Sequence, residues 1–171
     1  MVWTAPEITR VEEKLTADER TTLAEFLDFN RDTLLHKCAG LTGEQLARRS
    51  VPPSNLSLLG LIRHMTEVER NWFRRRFGGE ADLPRLYRGT DDADFEQADA
   101  ENAEADYNAL IEERRLCTAA VAGLSLDDTF VHPRWGEMSL RWMYQHMISE
   151  YAQHNGHADL LRECVDGVKG S

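Results

Sequence analysis

The sequence predicts an all-α fold built on four long helices, and three observations carry that prediction. Apolar residues recur at spacings of three and four over four separate segments. Residues that cap or stop helices stand at the ends of these segments. No convincing run of alternating polar and apolar residues indicates a strand. The length of 171 residues suits one core, so residues 1–171 are expected to form a single domain.

The first predicted helix begins at a capping box, in which Thr16 and Glu19 satisfy each other's backbone donors. Its apolar residues continue at helical spacing until Gly40 ends the run. A second capping box, formed by Thr42 and Gln45, predicts a short helical turn. The prolines of SVPPSN then interrupt the helical pattern.

Three further helices are predicted, at residues 57–77, 94–122 and 139–166. A capping box of Asp94 and Gln97 is expected to start the third helix, and Ser139 is expected to cap the fourth. Long connections at residues 80–93 and 123–138 join the last three helices. Four helices of this length, joined by turns and longer connections, are typical of a helical bundle.

The composition excludes several classes of partner. The formal net charge is −10, and such an acidic chain would be repelled by a nucleic-acid backbone or an anionic membrane. No apolar run approaches the roughly 20 residues of a membrane-spanning helix, and the N-terminus lacks the pattern of a signal peptide. The cysteines Cys38, Cys117 and Cys164 are scattered, so they are interpreted as three buried reduced thiols. We therefore expect a cytoplasmic protein.

His64 lies on the apolar stripe of the second predicted helix. It stands three residues after Leu61 and four before Val68, both of which belong to that stripe. Charged residues, among them Arg63 and Arg70, occupy the opposite side of the helix. The helical phase therefore points His64 inward.

The fourth predicted helix places polar groups on its inner face. Glu150 and His154 are one turn apart, and His157 falls within about 20° of Glu150 on the helical wheel. Met147 and Leu161 extend the same face as apolar residues. Burying a carboxylate and two imidazoles without partners would cost several kcal/mol, so something must compensate for it.

A bound divalent metal ion could offset the cost of burying these polar groups, and so could hydrogen bonds within the core. Glu150 and His154 can bind one ion from a single helix, and His64 can add a ligand from a facing helix. A single inward histidine is more often simply hydrogen-bonded. The combination of residues favours metal, with zinc expected first and nickel or iron as alternatives. No Glu-x-x-His and no HExxH motif supports a di-iron or zincin site.

Other candidate residues have simpler interpretations. His132 lies in VHPRWGEM and is interpreted as a solvated loop histidine that could rim a cleft. Trp72 and Trp142, large aromatics at helical spacing, are interpreted as core residues. The basic run at residues 74–76 suits a helix C-terminus, and the acidic stretch at 91–106 suits a solvated loop and helix start.

The motifs LIRHMTEVERNWF and EYAQHNGH, with His64, Glu150, His154 and His157, resemble those of the DinB-like metal-binding proteins. Within that family the chain is most similar to the mini-circle protein group, and it is related to the mycothiol-dependent maleylpyruvate isomerases. The resemblance covers nearly the whole chain and implies an up-down-down-up four-helix bundle. It assigns ligand roles to His64, Glu150 and His154. Many relatives have His at the position of Glu150 and Gln at that of His157, so His157 is interpreted as a proton-handling group behind the ligands.

The resemblance implies a metal-dependent enzyme that uses a small thiol. We expect an S-transferase or isomerase in which a metal ion activates a thiolate, with mycothiol as the expected thiol and an electrophilic small molecule as its partner. A metal-dependent hydrolase and a non-catalytic, stress-related metal-binding bundle are the alternatives. The protein is expected to be a monomer or a homodimer.

Overall fold

The computed structural model describes residues 2–10 and 12–170, and their fold is mostly helical, as predicted. The regular elements, in chain order, are α1 (Glu19–Cys38), α2 (Gly43–Ala47), α3 (Leu58–Glu69), α4 (Ala93–Glu96), α5 (Ala103–Val121), β1 (Thr129–His132), β2 (Gly136–Ser139) and α6 (Leu140–Asp166). Within the described ranges, none of the helices has both the length and the apolar character needed to cross a membrane.

Of the four predicted caps, those at Thr42 and Ser139 are confirmed, whereas those at Thr16 and Asp94 are wrong. Thr42 and Gln45 form the capping box at α2, and the Ser139 hydroxyl accepts a hydrogen bond from the first turn of α6. The first helix is capped by Asp18 rather than Thr16, because the Asp18 carboxylate accepts the backbone N–H of Thr21 at 3.0 Å. Asp is as good an N-cap as Thr, and here it directly precedes the first helical residue.

The second predicted helix is continuous, but its last part is a π-helix. Residues Arg70–Phe77 follow α3 without a break and have wider turns than an α-helix. The backbone N–H of Gly78 donates to the carbonyl of Phe73, five residues earlier, at 2.7 Å. Each π-helical turn holds more residues than an α-helical turn. Trp72, within this segment, is nearly buried, with 8% of its surface exposed.

The third predicted helix is interrupted near its start, and its continuous part is α5. The single turn α4 is separated from α5 by a short 3₁₀ turn at Ala100–Asn102. The capping box of Asp94 and Gln97 does not form, because Asp94 is buried and directs its carboxylate to His64. This segment lies close against α3: a Cβ atom on Gly60 would come within 2.9 Å of the Phe95 ring. Packing on α3 therefore decides the local conformation.

Much of the charged side of α3 is buried rather than solvated. The Arg63 guanidinium donates to Asp106 on α5 at 2.9 Å, and Arg70 donates to Glu113 on α5 at 2.7 Å. The acidic stretch is thus only partly a solvated segment, because Asp94 and Asp106 are buried in it. These ion pairs fasten α5 and the connection before it onto α3. That packing brings residue 94 beside residue 64.

The segment predicted as a loop before α6 contains a small antiparallel sheet. Strands β1 and β2 pair with Thr129 opposite Ser139 and His132 opposite Gly136. The hairpin lies next to the π-helical segment, where Phe130 contacts Phe77 with ring centroids 5.0 Å apart. Four-residue strands with partly exposed faces give little alternation in the sequence, so the sheet was not predicted.

The core lies between the long helices, where α1 packs along α6, α3 packs against α5, and α3 also contacts α6. Cys38 and Cys117 are buried there, as predicted, but Cys164 is exposed on α6. Trp72 is a core residue, as predicted, whereas Trp142 is 40% exposed. The contact between α3 and α6 is the place where the two predicted metal-binding motifs meet.

Candidate metal centre

His64 is held on α3 by a carboxylate that the sequence did not reveal. The Nδ1 atom of His64 lies 2.8 Å from Oδ2 of Asp94, whose side chain is 5% exposed. The ring of Phe95 stacks on the imidazole at 5.0 Å. An ionised Asp94 accepts a hydrogen bond from the Nδ1–H group of His64, which leaves the lone pair on Nε2 free to bind a ligand.

Glu150 and His154 lie opposite His64 on α6. Their nearest ligand atoms, Oε2 and Nε2, are 3.7 Å apart, and the His64 and His154 ring centroids are 4.8 Å apart. One ligand atom from each of the three residues can be chosen so that all lie within 4.8 Å of one another. The structure therefore brings together the three side chains to which the sequence analysis gave ligand roles.

His157 lies behind His154 and outside the group of three. Its Nδ1 atom is 3.3 Å from Nδ1 of His154. One of these two nitrogens carries the shared proton, and the contact leaves Nε2 of His154 directed toward Glu150. Both histidines of the group thus have Nδ1 occupied by a neighbour and Nε2 available to the centre.

The electrostatics of the centre keep His154 neutral. Burial, together with the charges of His64 and His157, lowers the pKa of His154 to about 4, and the opposing charge of Asp94 does not outweigh them. For Asp94, burial would raise the pKa, but the hydrogen bond and the charge of His64 outweigh it and the pKa is lowered. At neutral pH His154 therefore has a free lone pair, and Asp94 is a carboxylate.

His146 is a neighbour of the centre that the sequence analysis missed. Its Nε2 atom lies 3.5 Å from Oε1 of Glu150, so that Glu150 stands between two histidines on α6. Burial lowers the pKa of His146, while the charge of Glu150 acts in the opposite direction. The signal was present, since His146, Glu150 and His154 recur at intervals of four. Asp94 had no such signal, because it is 30 residues from His64 in the chain.

His132 belongs to an aromatic group beside the centre rather than to the centre itself. Its ring stacks on Trp135 at 4.4 Å and lies 6.4 Å from the Trp72 ring. Trp72 in turn contacts His146, with ring centroids 4.7 Å apart. His132 is therefore a half-buried residue of β1 rather than a solvated loop histidine, and it is not among the three residues that converge.

Two cavities open beside the centre. One, of about 340 Å³, is lined by His64, Asp94 and several charged groups, among them Arg75 and Asp92. The other, of about 630 Å³, is lined by residues of the hairpin and of the first turns of α6: Trp135, Glu137, Met138, Ser139, Trp142 and His146. The first cavity is thus lined by one of the three converging residues, and the second is lined by His146, the neighbour of Glu150.

The donor set fits a divalent metal ion. Two imidazole nitrogens and a carboxylate suit zinc and the neighbouring transition metals. Atoms bound at about 2.0–2.2 Å from one ion can lie at most about 4.4 Å apart. The three ligand atoms already lie within 4.8 Å of one another, so small side-chain rotations suffice. The Asp94 carboxylate behind His64 is the kind of partner that metal-binding histidines have.

One of three comparisons with known proteins found a match. The sequence model of the mycothiol S-transferase family matches residues 22–167, a range that contains His64, Glu150 and His154. The comparison with curated proteins gave no match, and the comparison with solved structures gave none either. The resemblance to DinB-like, mycothiol-related proteins is confirmed by the match. The chain belongs to the mycothiol S-transferase family.

Proposed function

We propose that the chain is a mycothiol-dependent S-transferase that binds a divalent metal ion, zinc first among the candidates, through His64, Glu150 and His154. The convergence of these three side chains from α3 and α6, in a chain of this family, is the observation that carries the proposal. Three protein ligands leave a position for a further ligand, which is typical of catalytic rather than structural zinc sites. When bound, such an ion lowers the pKa of a thiol and favours the thiolate near neutral pH.

The protein's own residues orient the groups and handle the proton. Asp94 holds the His64 ring through Nδ1, and His157 does the same for His154. His157 is partly exposed at the edge of the centre, and we assign to it the uptake of the thiol proton. Glu150 supplies the only negative charge among the three ligand groups, which balances part of the charge of a dication.

The reaction we infer is attack of the thiol sulfur on an electrophilic carbon. A carbon–sulfur bond forms, the bond from that carbon to its leaving group breaks, and the leaving group departs with the electron pair. The thiol proton passes to a base. An isomerase would use the same thiol addition but would eliminate the thiol again. The two cavities beside the centre support an enzyme over a non-catalytic metal-binding protein.

The helix arrangement, the cellular location and the oligomeric state are also part of the proposal. The order of α1, α3, α5 and α6 and their packing support an up-down-down-up four-helix bundle of one domain, residues 1–171. Free cysteines suit the cytoplasm, where thiols stay reduced. We expect a monomer or a homodimer.

The first experiment combines elemental analysis of the purified protein with a screen for thiol-dependent activity. An aryl chloride such as 1-chloro-2,4-dinitrobenzene is offered with mycothiol, and with glutathione and cysteine as comparison thiols. The expected result is about one equivalent of a divalent metal for each chain and loss of chloride that requires mycothiol. Turnover of an ester without any thiol would support a metal-dependent hydrolase instead.

A pair of variants tests the ligand assignment. Glu150→Gln removes the one anionic ligand, so the protein should lose its metal and its S-transfer activity while its helical circular dichroism is unchanged. His157→Gln is the matched control, because it alters a residue behind the ligands and should retain the metal. Loss of the ion from His157→Gln together with its retention by Glu150→Gln would show that the ligand set is wrong.

A further inference from the structure

A group of partly exposed aromatic side chains borders the candidate metal centre. The cavity of about 630 Å³ between the hairpin and α6, called here the Trp135–Trp142 cavity, has these two indoles among its lining residues. Trp135 is 57% exposed and Trp142 is 40% exposed. Large aromatic side chains are usually buried, and neighbouring exposed ones commonly mark a binding surface.

The rings of this cavity are held in place from behind. Trp142 stacks on His146 with ring centroids 4.9 Å apart and an angle of 9° between the planes. Trp135 stacks in the same way on His132, at 4.4 Å and 17°. Trp72, which is nearly buried, contacts both tryptophans. The cavity walls are therefore preorganised, so a flat ligand can stack on them without first ordering them.

The cavity lies next to the centre, and His146 stands between the two. His146 forms part of its wall, and the Nε2 atom of His146 lies 3.5 Å from Oε1 of Glu150. A molecule bound in this cavity would therefore lie against His146, which is a direct neighbour of Glu150. The volume is within the range of small-molecule sites, about 300–1,000 Å³.

The two cavities beside the centre differ in polarity. The cavity next to His64 is lined by Arg75, Arg85, Asp91 and Asp92, which suit a polar, hydroxyl-rich molecule. The Trp135–Trp142 cavity has tryptophan and methionine walls, and Glu137 is the one acidic residue among its lining residues. Glu137 and the nearby Glu150 disfavour an anionic ligand.

We propose that the Trp135–Trp142 cavity binds the electrophilic substrate, and that it selects uncharged, flat aromatic electrophiles over aliphatic ones. The assignment of the ligand as a substrate rests on the proposed S-transfer function. The binding preference itself rests on the aromatic walls and is tested separately.

The binding test uses two unreactive probes of similar size, nitrobenzene and nitrocyclohexane. Each is titrated into the full-length, metal-containing protein, and the indole N–H signals of the four tryptophans are followed by NMR, with assignments from single variants. Nitrobenzene should shift the Trp135 and Trp142 signals and bind about tenfold more tightly than nitrocyclohexane, because only the aromatic ring stacks. The Trp3 signal should not move, since Trp3 lies at a different cavity.

The kinetic test uses an aryl and an alkyl electrophile with the same reacting group. Phenacyl bromide and bromoacetone both react with a thiol by forming a carbon–sulfur bond and releasing bromide, with the thiol proton passing to the buffer. Each rate is divided by the rate of the uncatalysed reaction with the same thiol. Trp142→Ala and Trp135→Ala should raise KM for phenacyl bromide about tenfold and leave bromoacetone nearly unchanged.

Two controls separate stacking from folding. Trp142→Phe keeps an aromatic ring and should retain most of the preference for phenacyl bromide. Trp3→Ala should leave the KM values for both substrates unchanged.

Equal losses for both electrophiles in the alanine variants would overturn the proposal, as would equal affinity for the two binding probes. Self-association that is abolished by Trp135→Ala would also overturn it, because the aromatic surface would then be an interface between copies. Absence of S-transfer with any electrophile would refute the proposed function, while the probe titration would still decide the binding preference.

Discussion

The hydrogen bond between Asp94 and His64 makes a quantitative prediction about metal affinity. Asp94→Asn keeps the shape of the side chain but removes its negative charge. In the native protein, Oδ2 of Asp94 lies 2.8 Å from Nδ1 of His64. The amide can also turn its NH₂ group toward Nδ1, which would place the imidazole proton on Nε2, the nitrogen that must bind the ion. The variant should therefore bind metal more weakly, while the three ligand residues stay intact.

The magnitude follows from the burial of the pair. Asp94 is 5% exposed at its side chain, so little water replaces the lost charge. Carboxylates that orient metal-binding histidines contribute about 10–100-fold to metal affinity, or about 1.4–2.7 kcal/mol. We expect Asp94→Asn near the lower end and Asp94→Ala near the upper end, because alanine also removes the hydrogen-bond acceptor.

The assay is competition for zinc with a chromogenic chelator at neutral pH. Asp92→Asn is the matched control, because it removes one negative charge from the same cavity. Asp92 is exposed, whereas Asp94 is buried and hydrogen-bonded to His64. Its affinity should change much less than that of Asp94→Asn. If both variants weaken zinc binding equally, only the long-range effect of the negative charge contributes to affinity. If Asp94→Asn leaves zinc affinity unchanged, Asp94 does not orient His64 for metal binding.

Two further predictions concern stability and thiol reactivity. Arg31→Ala should lower the free energy of unfolding by about 3–5 kcal/mol in denaturant titrations, because it leaves the Glu69 carboxylate buried without the two 2.6 Å bonds that Arg31 donates. In the native protein a disulfide reagent should modify Cys164 and spare Cys38, because Cys164 is exposed and burial raises the pKa of the Cys38 thiol to about 12.

Each of these two predictions has an internal control. Arg115 forms an exposed ion pair with Glu112, so Arg115→Ala should leave the unfolding midpoint unchanged, and an effect as large as that of Arg31→Ala would contradict the argument from burial. Cys164→Ser should remove the reaction of the native protein with the disulfide reagent, and unfolding should expose the remaining thiols. Rapid modification of folded Cys164→Ser would show that a core thiol is accessible.

The sequence by itself determined the helical class and the side of each helix on which the candidate ligands lie. The spacing of Leu61, His64 and Val68 places the imidazole on an apolar stripe, and Glu150 and His154 share a helix face because they are four residues apart. These are local relations that follow from the helical period. They hold wherever the helix packs, and they bring the ligand groups together once α3 and α6 meet.

Only the tertiary structure decided what surrounds those ligands. The pairing of Asp94 with His64 joins residues 30 positions apart, and it depends on α4 folding against α3 rather than starting a long helix. The hairpin that carries Trp135 likewise had no clear sequence signal, and it packs on the π-helical segment through Phe130 and Phe77. Helical periodicity determines which residues of a segment share one face of the helix. Which other segment packs on that face depends on burial and pairing between groups that are far apart in the chain.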